Sequence, residues 1–199
     1  MNNRLLAAAT RLLTGVNVRW VNCQPNTRQR VYFANHTSNL DTLVLWAALP
    51  MDVRMLTRPA AARDYWEAGK LRRYLATKVF DAVLIERVRV NKHNNPVGVI
   101  MEVIGNRHSL ILFPEGKRNP GPDVGEFKSG LYHISKNRPD LELVPVYIEN
   151  LNRILPRGEF LPVRLLSSIS FGTPIKASEG EGKAGFLRRA RDAVCRLKP

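Results

Sequence analysis

The chain has 199 residues, 44% of them hydrophobic, with 31 Lys and Arg against 17 Asp and Glu and a formal net charge of +14. That length buries a core in one domain, and the composition excludes a disordered or low-complexity chain. The charge is the outlier: such a surface seeks phosphate on nucleic acid, anionic lipid or a soluble substrate, unless it is only a solvated basic face.

In chain order, residues 2–14 predict a helix in which Leu5, Leu6, Leu12 and Leu13 are interrupted by Arg4 and Arg11. It is too short to cross a bilayer but suited to lying on one, so residues 1–28 read as an amphipathic N-terminal segment and membrane-surface anchor. Residues 29–199 follow as one domain. Strands are expected at 30–34, 53–57, 83–86, 109–113, 143–147 and 164–171, and further helices at 40–48, 60–78, 96–106, 129–136 and 182–196. Their alternation predicts an α/β fold, a mixed and mostly parallel sheet flanked by helices.

The stretch from Arg58 to Lys78 interleaves Arg63, Lys70, Arg72 and Arg73 with Tyr65, Trp66, Leu71 and Tyr74. That pattern suits a lipid headgroup layer, and it equally suits a buried aromatic stripe with solvated cations opposite. Cys23 and Cys195 lie at opposite ends without a pairing pattern, and the N-terminus does not read as a cleavable signal; free thiols in a reducing compartment are expected.

Two segments carry chemistry. After the apolar run 31–34 comes Asn35-His36-Thr37-Ser38-Asn39-Leu40-Asp41. Five positions along a regular helix would set His36 and Asp41 on different faces, so the pair works best with His36 in a loop and Asp41 in a helix's first turn. Ser38 or Asn39 would cap that helix. Asp41 then either orients His36 as a general base or merely decorates a helix N-terminus. After the apolar run 110–113, Pro114-Glu115-Gly116-Lys117-Arg118 places two adjacent cations in a turn, with Lys128 further along. Arg118 can grip a phosphate through its fork, and Lys117 and Lys128 add point charges. Glu115, odd in an anion-binding loop, is expected to position an arginine or a substrate hydroxyl. Arg87 ends a third strand. Ligands of open α/β sheets bind at the strand C-termini, where these groups would meet.

Taken together, these residues resemble the glycerolipid acyltransferases, which acylate lysophosphatidic acid and related lysolipids. The H-x4-D block is 35–41, an apolar run ending in Arg is Val83-Leu84-Ile85-Glu86-Arg87, the F-P-E-G block is 113–119, and a V-P-V strand is 143–146. Lys117 stands where the family usually has Thr, and Glu86 where a shorter polar residue is commoner. The family's long N-terminal membrane segments are not expected here, and the short amphipathic helix would have to serve instead. The resemblance implies an acyltransferase domain over 29–199 that moves a fatty acyl chain from acyl-CoA or acyl carrier protein, as co-substrate with no other cofactor, to a lysophospholipid hydroxyl. The acceptor it implies is 1-acyl-sn-glycerol 3-phosphate; glycerol 3-phosphate, another lysolipid or a saccharolipid are alternatives. It implies His36 and Asp41 as catalytic residues, and Arg87, Glu115, Gly116, Lys117, Arg118 and Lys128 as the phosphate site. It also implies peripheral or monotopic association with the anionic, cytoplasmic face of a membrane.

Other motifs fail on context. Residues 180–185 satisfy G-x-G-x-x-G, but no strand immediately precedes them and no acidic ribose partner follows. His93, His108 and His133 lack ligand spacing, so no metal is expected. The rival class is a basic nucleic-acid-binding module, suggested by charge and Trp20, Trp46 and Trp66; its cations would cluster on one element, whereas here they are spread, and no nucleic-acid partner is expected.

Overall fold

Among the described residues of this computed structural model (3–86, 95–119, 121, 123–149 and 167–199), the strands are β1 (Asn17–Trp20), β2 (Arg30–Ala34), β3 (Thr57–Ala62), β4 (Val83–Ile85), β5 (Ser109–Leu112), β6 (Glu142–Glu149) and β7 (Ser168–Phe171). They form one sheet in the order β1-β7-β6-β2-β5-β3-β4. All neighbours pair in parallel except β6 and β7, giving the mixed, mostly parallel sheet expected from the alternation of elements. β2 is buried at every position, as a central parallel strand covered on both faces must be.

The covering is set by the period of two. Tyr32 and Ala34 point to a layer built from α1 (Asn3–Thr14), α2 (Asp41–Ala48), α3 (Met51–Met55) and the stretch 63–80. Val31 and Phe33 point to the other layer, α6 (Pro96–Ile104), α7 (Gly130–Asn137) and α8 (Lys183–Cys195). Within the first layer, α4 (Arg63–Trp66) and α5 (Lys70–Tyr74) are short, and a π-helical turn follows at Leu75–Val79. After β2 the chain leaves toward α2 on one face; after β5 it leaves toward α7 on the other. The crevice between the C-terminal ends of β2 and β5 is therefore a topological switch point, where open α/β sheets bind ligands.

Three expectations change. The strand expected at 53–57 is displaced: Val53 lies in α3, and the strand runs from Thr57 to Ala62. The three alanines favour helix by propensity, but their backbones pair with β4 while residues 57–59 pair with β5, and pairing wins. The single helix expected over 60–78 is broken instead, with Gly69 in an extended conformation between α4 and α5. β1 was not foreseen; it pairs with β7, and Trp20 stacks on Phe171 at 3.9 Å between ring centres. The first three residues expected in the last strand, 164–166, lie outside the described residues.

α1 inverts the usual amphipathic rule. Its buried residues are small, Ala7, Thr10 and Thr14, with Leu6 partly packed against the core, while Leu5, Leu12 and Leu13 are 68%, 69% and 59% exposed. Arg11 fastens it by donating to the carbonyls of Ala47, Ala48 and Leu49 at the C-terminal end of α2. Among the described residues no helix is long and apolar enough to cross a membrane.

Where β2 ends, the buried Asn35 side chain continues its pairing with β6. It donates to the Ile148 carbonyl at 2.9 Å and accepts from the Ile148 amide at 2.8 Å. Asn35→Ala leaves both backbone groups buried without partners, and urea unfolding is expected to show a loss of about 1–3 kcal/mol.

Candidate active site

The loop after β2 is folded around one carboxylate oxygen. Asp41, wholly buried in the first turn of α2, accepts through Oδ2 from the amides of Thr37 at 2.6 Å and Ser38 at 2.8 Å, and lies 2.8 Å from His36 Nδ1. Two backbone donors bend the loop back over the helix start, and this brings His36 to the carboxylate despite the five-residue offset. The expected side-chain cap is absent: Leu40 stands at the cap position, Ser38 Oγ accepts from the Leu40 amide, and Asn39 Oδ1 accepts from the Tyr65 hydroxyl. The imidazole stacks on Phe113, ring centres 4.3 Å apart, and remains partly open to solvent. A histidine that gives its Nδ1 proton to a buried carboxylate presents an unprotonated Nε2, the arrangement of a general base.

The loop after β5 is tied to the same place. Glu115, 4% exposed, accepts from the His36 amide at 2.9 Å through one oxygen and from the Gly125 amide at 3.0 Å through the other. The Asn119 amide donates to the His36 carbonyl at 2.7 Å, so His36 is held by its backbone on both sides. Where an arginine or a substrate hydroxyl was expected beside Glu115, its two oxygens hold backbone amides, those of His36 and Gly125. The arrangement leaves no room at 125, where a Cβ would stand 2.6 Å from Glu115 Oε2. Gly116 turns the chain at a φ of +71°, with its amide donating to the Phe113 carbonyl.

Two neighbouring cavities open at this edge. The first, about 150 Å³, is lined by His36, Asn39, Tyr65, Phe113, Lys117 and Arg118 among others. The second, about 650 Å³, has an apolar floor that includes Val97, Ile100, Leu131 and Ile134, with Lys128 and His133 on its wall. Ile85, Leu112, Phe113 and Gly116 line both, so the cavities adjoin beside the ring on which His36 stacks. Lys117 and Arg118 share the first cavity with His36, whereas Lys128 lines the second, its side-chain carbons lying over Gly116. Arg87 lies outside the described residues. No group of three His, Cys, Asp or Glu among the described residues is placed to hold a metal ion.

Sequence reasoning missed Tyr65, Asn39 and Phe113 as site residues. Asn39 and Phe113 sit inside the two motif blocks, so proximity was the available signal. Tyr65 belongs to the basic-aromatic stretch whose two readings the structure divides: Trp66 packs edge-on to Phe80, Tyr65 faces the first cavity, and Leu71 is 72% exposed.

Residues 15–149 match the sequence profile of the family described as "Acyltransferase". A probable 1-acyl-sn-glycerol-3-phosphate acyltransferase of Mycoplasma pneumoniae is 32% identical over 130 residues, covering 63% of this chain and 47% of that protein. The 1-acyl-sn-glycerol-3-phosphate acyltransferase of Escherichia coli K12 is 29% identical over 140 residues, covering 62% and 51%. The chain thus spans about half the length of these curated relatives. The crystal structure of the 1-acyl-sn-glycerophosphate (LPA) acyltransferase from Thermotoga maritima superposes with a TM-score of 0.74 at 18% identity, over 98% of this chain and 76% of that one, a likeness of fold.

A carboxylate oxygen 2.8 Å from Nδ1 favours the tautomer protonated there. In nitrogen NMR spectra of the neutral ring, His36 is expected to carry its proton on Nδ1 with Nε2 bare, and Asp41→Ala to abolish that preference. A wild-type ring protonated on Nε2 would contradict the arrangement.

Proposed function

Since this chain belongs to the acyltransferase family, we propose that it transfers a fatty acyl group from a thioester donor, acyl-CoA or acyl carrier protein, to the free hydroxyl of 1-acyl-sn-glycerol 3-phosphate. The observation that carries this reading is the convergence on one cavity of a carboxylate-held imidazole and the cations of Lys117 and Arg118.

In the reaction, His36 Nε2 takes the proton of the acceptor hydroxyl as its oxygen attacks the thioester carbonyl. The charge formed on the imidazole is stabilised by the buried carboxylate of Asp41. Collapse of the tetrahedral adduct breaks the C–S bond, and the departing thiolate takes the proton back from His36. The ester forms directly on the acceptor without an acyl-enzyme, because His36 activates the substrate's own hydroxyl. Lys117 and Arg118 hold the phosphate so that the hydroxyl reaches Nε2, a task of position and charge. Glu115 contributes by fixing His36's amide.

The acceptor is a lipid, and the surface offers a place to meet it. Among the described residues, the large hydrophobics that stand exposed, Leu5, Leu12 and Leu13 of α1, Met51 and Met55 of α3, and Leu71 and Tyr74 of α5, belong to the layer that contains α2. Arg4 joins α1 to α3, its Nε 3.0 Å from Met51 Sδ. Leucines facing outward with arginines among them suit the boundary between acyl chains and anionic headgroups. We assign this layer to the membrane surface.

Two measurements test the proposal. With labelled acyl-CoA and 1-acyl-sn-glycerol 3-phosphate, His36→Ala is expected to lower kcat about 10³-fold with the fold intact, and retained turnover would contradict the base assignment. Arg118→Ala is expected to raise the acceptor KM about tenfold. In a separate assay, the double variant Leu12→Glu, Leu13→Glu is expected to lose sedimentation with phosphatidylglycerol vesicles while still acylating a short-chain acceptor dissolved as monomers. Undiminished vesicle binding would remove α1 from the membrane face.

A further inference from the structure

Tyr65 does three things at once. Its hydroxyl donates to Asn39 Oδ1 at 2.8 Å, inside the loop that carries His36. The Arg118 guanidinium carbon lies 5.8 Å from the centre of its ring, and that of Arg72 lies 4.6 Å from the same centre. Arg72 also donates from Nη1 to the Tyr65 backbone carbonyl at 3.3 Å. One ring thus gathers a cation from the F-P-E-G loop and a second from α5, a helix outside every motif block.

Two guanidiniums drawn to one ring repel each other, and the ring's quadrupole offsets only part of that. A phosphate monoester held between them turns the repulsion into attraction, and each planar fork can donate two parallel hydrogen bonds to its oxygens. The position of Arg72 adds direction. Its neighbour Leu71 is 72% exposed and Tyr74 42%, so α5 presents apolar side chains outward beside the guanidinium. Arg72 itself is exposed on α5, while Arg118 lines the cavity of His36.

We infer that Arg72 and Arg118, mounted on the Tyr65 ring, form a two-armed clamp for the phosphate monoester headgroup of the acceptor. This rests on the proposed acceptor class and adds Arg72 as a binding residue and Tyr65 as the residue that positions both arms.

The test is equilibrium binding to the full chain, without donor, of 1-hexanoylglycerol 3-phosphate and of uncharged 1-hexanoylglycerol, both as monomers. The wild type is expected to bind the phosphate form about tenfold or more tightly than the neutral one. Arg72→Ala and Tyr65→Ala should each weaken the phosphate form about tenfold and leave the neutral form unchanged. Tyr65→Phe, which keeps the ring, should bind both probes nearly as the wild type does. Arg72→Ala with unaltered phosphate affinity, Tyr65→Ala weakening both probes equally, or a wild type indifferent to the phosphate would each overturn the clamp. Adding the thioester donor separates the two ideas: phosphate-selective binding that responds to these variants, with no ester formed, would sink the acyltransfer reading and leave the clamp standing.

Discussion

One oxygen atom, Oδ2 of Asp41, accepts from the Thr37 and Ser38 amides and lies within hydrogen-bonding distance of His36 Nδ1, in a place closed to solvent. A buried carboxylate is costly unless it is hydrogen-bonded, and here the donors are supplied by the loop that must be bent. The carboxylate shapes the loop, the shaped loop brings the imidazole to the carboxylate, and the imidazole's second nitrogen is left for chemistry. Removing the carboxylate would therefore undo the geometry and the charge stabilisation together, which ties local structure to function at a single residue.

The sheet explains why that loop meets the second one. β2 and β5 lie side by side in parallel, so their C-terminal ends share an edge, and their following helices depart to opposite faces. The opening between them receives His36 from one strand and Lys117 and Arg118 from the other. Glu115 and Asn119 then fasten the F-P-E-G loop to the backbone of His36 itself, at 2.9 and 2.7 Å. The proposed base and the proposed anion-binding cations, coded about eighty residues apart, are thereby set with little freedom relative to each other, which is what an entropic contribution to catalysis would require.

Much of this was legible in the sequence because it rests on local rules. The apolar run at 31–34 marked a strand, which proves buried at every position. The His36–Asp41 spacing favoured a loop followed by a helix turn. What was not legible depends on long-range pairing. Ala60, Ala61 and Ala62 form a strand only because β4 pairs with them, and Asn17–Trp20 is a strand only beside β7. The role of Glu115 was hidden because its partners are backbone amides at positions 36 and 125, about which side-chain chemistry is silent. Tyr65 was visible as an aromatic among cations, but not as the ring that joins Asn39, Arg72 and Arg118.

The account stands on His36 and Asp41 acting as one unit, and a double-mutant cycle on kcat measures that directly. If Asp41 works through the imidazole, then once His36 is alanine, replacing Asp41 by alanine should cost little more, and the double variant should match His36→Ala within about threefold. Losses that multiply, each substitution lowering kcat by its full factor whether or not the other is present, would mean that the two side chains act separately.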